Sequence, residues 1–364
     1  MKGEWHKLTL GEISEITMGQ SPDSKSFNNV RIGVPFIQGA ADLNKPESEL
    51  RFTDEPTKFC YFQDILLSVR APVGKLSISK FKSCIGRGIA AIKGEKILYF
   101  LLESKSRNLN DLSQGSTFSC ISGQNLNDLD ISLPDSKEEF GKISHFLEVI
   151  DARISVQRKT IEDLKKERLY YLYSFIEQAF KTYPLIRLDL ITSESNEKST
   201  VENQYRIISS TGKGIFFQDQ YFNKQASSES NIGYKVLPYG YCTYRPMSDT
   251  GSFTFNIQKL CSMSIVSPAY PVFKFINYDS TVALAIMNNS DQFKKKMLKV
   301  KEGGTRFTLP FSKLKWLSVP KIPLNKQTKI TYLLNIIDRR NEIYDMQLRY
   351  LLSIKEYLLK NLFI

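Results

Sequence analysis

Two textures alternate along the chain. Residues 1–134 carry short apolar runs broken by Gly, Pro and Ser, such as Gly33-Val-Pro-Phe-Ile-Gln38 and Asp64-Ile-Leu-Leu-Ser-Val-Arg70. Runs of that length between turn residues predict strands. From Ser136 the spacing changes to that of a helix, with apolar residues at Ile143, Phe146/Leu147, Ile150, Ile154, Ile161, Leu164, Tyr171 and Phe175. Ser136 followed three residues later by Glu139 predicts a capping box, and no Pro or Gly interrupts residues 142–182. The strand texture returns over 182–322, as in Tyr205-Arg-Ile-Ile-Ser209 and Tyr241-Cys-Thr-Tyr-Arg245. The helical spacing returns in 324–364, at Ile330, Leu333/Leu334, Ile337, Tyr344, Leu348, Leu351, Leu358 and Leu362.

The second half repeats the first. Ile143-Ser-His-Phe-Leu-Glu-Val-Ile-Asp151-Ala-Arg153-Ile aligns without gaps with Ile330-Thr-Tyr-Leu-Leu-Asn-Ile-Ile-Asp338-Arg-Arg340-Asn. Gly115-Ser-Thr-Phe118 corresponds to Gly304-Thr-Arg-Phe307, and Ser68-Val-Arg70 to Thr243-Tyr-Arg245. So long a period excludes a solenoid and indicates a duplicated domain plus helix. The predicted fold is α+β. Mixed, strand-rich domains over 1–134 and 182–322 are separated by long helices over 135–181 and 323–364, with internal pseudo-two-fold symmetry.

About 35 helical residues span roughly 50 Å, and such a helix with a narrow apolar seam needs a partner. The other helix of the same chain is the natural one, as an antiparallel coiled coil. Its seam is expected to hold Ile154, Ile161, Leu164 and Tyr171 on one helix and Tyr344, Leu348, Leu351 and Leu358 on the other. A break near the first third of each helix is compatible with the pattern, and packing of each helix on its own domain is the competing arrangement. The stretches Tyr170–Tyr173 and Tyr357–Leu359, with Phe175, Ile354 and Leu362, hold more apolar residues than one seam uses. Such a surplus predicts a protein partner.

Lys and Arg number 50 against 38 Asp and Glu, a net charge of +12 in 364 residues. That excess predicts a polyanionic partner, nucleic acid first and an anionic membrane surface second. The cysteines (Cys60, Cys84, Cys120, Cys242 and Cys261) are far apart, and the histidines are His6 and His145. Neither a zinc site nor a disulfide scaffold fits that spacing. With no signal peptide and no 18-residue apolar run, a cytoplasmic protein with reduced thiols is expected, not a membrane one.

Chemistry is sparse. The chain has neither a G-x-G-x-x-G nor a phosphate-loop motif. The nearest string to an amino-methyltransferase motif, Ser267-Pro-Ala-Tyr270, lacks the second Pro. A nuclease site assembled from Pro134-Asp135 and Asp163-Leu164-Lys165 would place its second half mid-helix. No catalytic residue, metal or cofactor is therefore expected, and binding remains. Cations among turn and aromatic residues can neutralise phosphates. They are Lys25, Arg31, Arg51, Arg70, Lys75 and Arg87 in the first domain, and Arg206, Lys213, Arg245 and Arg306 in the second. Gln38, Asn44, Gln114, Gln218 and Asn256 are candidates to read bases. Ser116, Thr117 and Thr305, in the repeated glycine segments, are further DNA-binding candidates.

At this point the chain resembles the specificity (S) subunits of Type I restriction–modification systems over nearly its whole length. The residues that carry the likeness are Trp5-x-x-Leu8-x-x-Gly11-Glu-Ile13, Gly19-Gln-Ser-Pro22, Gly33-Val-Pro-Phe-Ile-Gln-Gly39, Ser68-Val-Arg-Ala-Pro-Val-Gly74, Gly86-Arg-Gly88, Gly115-Ser-Thr-Phe118, and the helix junction from Glu139 to Ile154. Two departures stand out: the junction reads Glu139-Phe140 and Lys326-Gln327 where Glu-Gln is usual, and Met263 aligns with Arg87.

The resemblance implies two target-recognition domains, each reading half of a bipartite double-stranded DNA target. It also implies helices that space the halves and dock two methyltransferase subunits, with restriction/translocase subunits joining through the complex. The chain itself would be non-catalytic. The alternatives are a stand-alone two-domain DNA-binding protein, a metal-dependent nuclease and a structural assembly protein that binds no DNA.

Overall fold

The structure, a computed structural model, describes residues 5–105, 120–134, 136–221, 230–303 and 306–363. The chain divides into two units. Unit 1 is Met1–Lys159 with Asp345–Ile364, and unit 2 is Thr160–Tyr344.

In chain order, unit 1 begins β1 (Trp5–Thr9), α1 (Leu10–Ile13), β2 (Ile16–Met18), β3 (Phe27–Asn28), β4 (Val34–Ile37), β5 (Arg51–Thr53) and β6 (Phe59–Cys60). It continues β7 (Ile65–Ser68), β8 (Leu76–Ile78), β9 (Ser83–Ile85), β10 (Ile89–Ile92), α2 (Lys96–Ser104), α3 (Gly123–Asn127) and β11 (Asp130–Pro134). Three sheets result. β1 pairs with β11, a four-stranded sheet runs β2-β10-β7-β8, and a five-stranded sheet runs β3-β5-β4-β9-β6. The buried strands β7 and β10 are apolar throughout except Ser68, as strands covered on both faces must be. Then comes α4, a single helix of 46 residues over Lys137–Thr182. Its start is capped as expected, since the Ser136 hydroxyl accepts from the Glu139 N–H at 3.3 Å.

Unit 2 repeats the plan with β12 (Leu185–Arg187), β13 (Thr192–Glu194), β14 (Ile208–Thr211), β15 (Gly214–Phe217), α5 (Gln218–Tyr221), β16 (Lys235–Pro238), β17 (Cys242–Tyr244) and β18 (Met247–Ser248). β19 (Phe255–Ile257), β20 (Met263–Val266), β21 (Val272–Phe275), α6 (Ser280–Asn289), α7 (Asp291–Val300), β22 (Phe307–Thr308), α8 (Phe311–Leu314), β23 (Ser318–Pro320) and α9 (Leu324–Leu362) complete it. β12 pairs with β23 as β1 does with β11, and the sheet β13-β21-β17-β19 has the order of β2-β10-β7-β8. Ser68 stands opposite Ile89, and Thr243 stands opposite Val272. The two segments that echo each other in sequence thus lie on equivalent strands, β7 and β17.

Both long helices are unbroken, and each contributes to both units. In unit 1, Ile143 and Leu147 of α4 join a core with Leu10, Leu67, Ile92, Phe100 and Ile131. Leu358, Leu359 and Leu362 of α9 pack against the same core. In unit 2, Ile330 and Leu334 of α9 and Leu172, Ile176 and Ala179 of α4 join Tyr244, Phe255, Phe273 and Phe293. The gapless sequence repeat therefore buries equivalent residues: Ile143, Leu147 and Ile150 match Ile330, Leu334 and Ile337.

Within each unit the two helix segments run antiparallel. In unit 1 the Gln157 side-chain amide donates to Gln347 at 3.0 Å and Lys355 meets Asp151 at 2.6 Å. In unit 2 Arg168 meets Asp338 at 2.6 Å. Ile154, Ile161 and Leu164 are buried, and Tyr344, Leu348, Leu351 and Leu358 half-buried. Tyr171 departs from the expected seam: it is 38% exposed, and Leu172 takes the buried position. A straight helix drifts against a seven-residue repeat. Beyond Leu164 the inward positions therefore fall at Arg168, Leu172, Ile176 and Ala179.

Candidate nucleic-acid interface

In unit 1 several candidate residues gather where β4, β7 and β9 end. β4 and β9 run parallel, with Ile37 beside Ile85. The Gly86 N–H donates to the Ile37 carbonyl and the Val69 N–H to that of Gly88, both at 2.9 Å. Gln38, Arg70 and Arg87 follow from these pairings as neighbours on one edge, all exposed. The approach is too close for side chains. A Cβ on Gly88 would lie 2.6 Å from the Gln38 carbonyl oxygen, and one on Gly19 would lie 2.2 Å from that of Gly86. The segments Gly19–Pro22, Gly33–Gly39 and Gly86–Gly88, separate in sequence, are thus one packed structure. Ser21 adds a hydroxyl that accepts from the Arg87 N–H.

The hairpin that carries Arg70 and Lys75 is closed by a buried hydroxyl. Ser68 Oγ donates to the Pro72 carbonyl at 2.7 Å and accepts from the Lys75 N–H at 2.8 Å. Arg51 lies over the Phe27 ring at 4.9 Å and donates to the Gln38 side-chain oxygen. The Gln38 amide nitrogen is left to donate. Lys25 and Arg31 are placed elsewhere: both precede β4 while Gln38 follows it, so the strand puts them at its other end. Asn44 is exposed, and its side-chain oxygen accepts from the Ser77 hydroxyl at 3.1 Å.

In unit 2 the corresponding edge carries Arg245, directly after β17. Arg306 precedes β22, which pairs with β18, and Arg306 lies 3.3 Å from Asp249. Tyr270 sits close to Arg245, and burial pushes its phenol above the ordinary tyrosine value. Ile265 bridges Ile207 in parallel as Ile85 pairs with Ile37. By that pairing the place of Arg87, just beyond β9, falls beyond β20, whereas Met263 opens β20 opposite Pro238. The sequence alignment of Met263 with Arg87 is corrected accordingly, because strand pairing and not local identity sets the equivalence. Ser267-Pro-Ala-Tyr270 is the turn that replaces Gly86-Arg-Gly88. Its Tyr270 N–H donates to the Ser267 carbonyl at 2.9 Å.

Other unit 2 candidates have partners within the fold. Arg206 pairs with Asp219 at 2.8 Å and stacks on Phe217 at 3.6 Å. Asn256 spends its amide on Ser210 and on the Thr211 carbonyl. Gln218 opens α5, where its backbone N–H donates to the Ile207 carbonyl. Lys213 is exposed at the tip of the β14–β15 hairpin. Among the described residues, no acid lies within ion-pair distance of Arg70, Arg87 or Arg245. Ser116, Thr117, Gln114 and Thr305 lie outside the described residues, as does Asp135. Asp163 of the nuclease alternative faces Lys166 at 3.8 Å. The run Lys294-Lys295-Lys296 is absent from the sequence candidates; the four-residue spacing of Phe293 and Met297 was the signal that would have placed it on an exposed helix face.

Among the described residues no helix is long and apolar enough to cross a membrane, and none gather as a metal-binding cluster.

Residues 2–166 match the Type I restriction modification DNA specificity domain. Two type I restriction enzyme specificity subunits of Methanocaldococcus jannaschii are similar to the chain, MjaX at 38% identity over 175 residues and MjaIX at 30% over 181. Each match covers 45% of this chain and 41% of the relative, so the likeness spans about two-fifths of those proteins. A crystal structure of the Type I restriction–modification S subunit from M. genitalium covers 100% of the chain, with 97% of its own length aligned, at a TM-score of 0.61 and 17% identity. That likeness is one of fold. Residues 2–166 are thus similar to the Type I restriction–modification DNA specificity domain, and the chain has the fold of the M. genitalium S subunit.

Proposed function

We propose that this chain chooses the DNA sequence for a Type I restriction–modification complex. The target-recognition domains, residues 1–134 and 182–322, each read one half of a bipartite duplex target. The long helices set the gap between the halves and dock two methyltransferase subunits. Restriction/translocase subunits join through that complex, and the chain is its non-catalytic member. The observation that carries this reading is the pair Arg70 and Arg245. Each stands exposed just beyond the equivalent strand of its sheet, β7 or β17, with no acid within ion-pair distance among the described residues. An Arg free of internal partners can engage guanine bidentately in the major groove.

Partner docking is supported by the helix surface within unit 1. Val149, Ala152, Val156, Tyr350 and Leu351 line a groove of about 660 Å³, with Val156 and Tyr350 each about two-thirds exposed. An apolar surface of that kind favours a complex over a stand-alone DNA-binding protein.

The test is co-purification with an adenine methyltransferase subunit, then methylation-sensitive sequencing of DNA exposed to the complex. A bipartite methylated motif with an unspecified gap is expected, and a stable complex with no such motif would overturn the two-half reading. Arg70→Ala and Arg245→Ala should each cost about 1–3 kcal/mol of target affinity and relax specificity in one half only.

A further inference from the structure

We propose that the lysine face of α7 is a phosphate-backbone contact of unit 2, running beside the edge that carries Arg245 and Arg306. The inference rests on the DNA-reading role proposed above and assigns to unit 2 a part of that role which the recognition edge does not supply.

α7 is amphipathic in an unusual sense. Phe293 and Met297 are its buried face. At 100° per residue, Lys295 and Lys299 point the opposite way and Lys296 flanks them, and all three are exposed. The helix is firmly seated: the buried Ser290 hydroxyl caps it by accepting from the Phe293 N–H at 3.2 Å. Among the described residues, no acid lies within ion-pair distance of Lys294, Lys295, Lys296 or Lys299; the nearby Glu302 is taken by Lys313 at 3.6 Å. Like charges one turn apart destabilise a helix by about 0.2–0.5 kcal/mol a pair. A cluster with no counter-charge among the described residues therefore weakens the free protein, and a polyanion would relieve that repulsion.

The placement selects duplex DNA as the polyanion. Directly after α7, the Lys301 ammonium sits 3.4 Å from the centre of the Phe307 ring, and Glu302 bridges Thr308. Phe307 and Thr308 pair with β18, two residues beyond Arg245. The end of α7 is therefore pinned to the recognition edge. Lys299 stands nearest, with Lys296 and Lys295 about one 5.4 Å turn further along. Lysines spaced along an exposed helix suit successive phosphates and, as compact point charges, carry no base preference.

The experiment compares the full chain with Lys295→Gln/Lys296→Gln/Lys299→Gln, binding to a mixed-sequence duplex across a salt series. Each phosphate contact contributes about 0.9 to the slope of log affinity against log salt, so the slope should fall by about 2–3. A control, Lys165→Gln/Lys166→Gln/Lys181→Gln, makes the same net-charge change elsewhere in unit 2 and should move it far less. Lys299→Gln alone, expected to lower the slope by about 0.9, serves if the triple variant folds poorly. An unchanged slope in the α7 variants, or an equal fall in the control, would overturn the α7 assignment and leave the DNA reading standing. Binding to anionic phospholipid vesicles in place of the duplex would overturn it as well. No duplex binding by the unaltered chain would instead overturn the reading on which the proposal rests.

Discussion

The two units solve one problem with different chemistry. In each, the Asp of the repeated helix segment, Asp151 or Asp338, receives a cation from the antiparallel helix segment. In unit 1 that cation is Lys355, buried and held between Asp151 at 2.6 Å and Glu103 at 2.8 Å, with the Phe100 ring 5.7 Å away. In unit 2 it is Arg168, about a third exposed, which grips Asp338 with two hydrogen bonds. Counted from the residue before each helix, Glu95 and Asp279, the place of Glu103 on α2 is held on α6 by Met287, which is fully buried. Lacking the second carboxylate, unit 2 leaves its pair at the surface. The repeat thus preserves register while the energetics diverge, because desolvation and not the presence of an ion pair sets what a pair is worth.

This comparison can be broken most severely at Lys355. Lys355→Met leaves two carboxylates facing an apolar contact, and a loss of about 3–5 kcal/mol is expected from denaturant unfolding. A loss below about 1 kcal/mol would show that water reaches the pair. A second difference lies at the start of the recognition loops. Ser68 closes its hairpin with two hydrogen bonds, whereas the hydroxyl of Thr243, on the equivalent strand β17, is buried without a hydrogen-bond partner among the described residues. Ser68→Ala should therefore cost about 1–3 kcal/mol, while Thr243→Val should be neutral or stabilising. Equal losses at the two positions would mean that the loops are held alike.

Arg168→Met should cost only about 0.2–1 kcal/mol, the range for a pair with this much solvent contact. The smallest effect is in pH dependence. Burial raises the Glu103 carboxyl above its ordinary value, and Lys355 offsets part of that. The folded chain then holds this proton more tightly than the unfolded chain does. Its contribution favours folding below the ordinary Glu range and is lost as pH rises toward the raised value. Glu103→Gln should flatten that part of the stability–pH curve, and an unaltered curve would remove Glu103 as its source.

Much of the architecture was legible because it rests on short-range periodicity. The duplicated plan follows from the 187-residue spacing of Asp151 and Asp338 and from the return of helical spacing after each strand-rich stretch. The buried positions Ile143, Leu147 and Ile150 follow from the same pattern. Candidate cations were less legible, since a charge in a turn looks the same whether it faces solvent or a neighbour. Among the described residues Arg70, Arg87 and Arg245 have no acid within ion-pair distance, whereas Arg206 is occupied by Asp219 and Phe217, and Asn256 by the β14–β15 hairpin.

By itself the sequence determined the duplication, the α+β class, the long helices and the positive charge, each a property of local pattern or of a simple sum. The tertiary structure alone decided three things. Parallel pairing of β4 with β9 places Gln38 beside Arg87, and the pairing of β20 puts the counterpart of Arg87 beyond that strand and not at Met263. Helix drift passes the seam through Leu172 and leaves Tyr171 exposed. A carboxylate on α2, far away in the chain, makes the Asp151–Lys355 contact a buried one. Each depends on which segments meet across the core, and a linear pattern of hydrophobic and polar residues does not specify those meetings one by one.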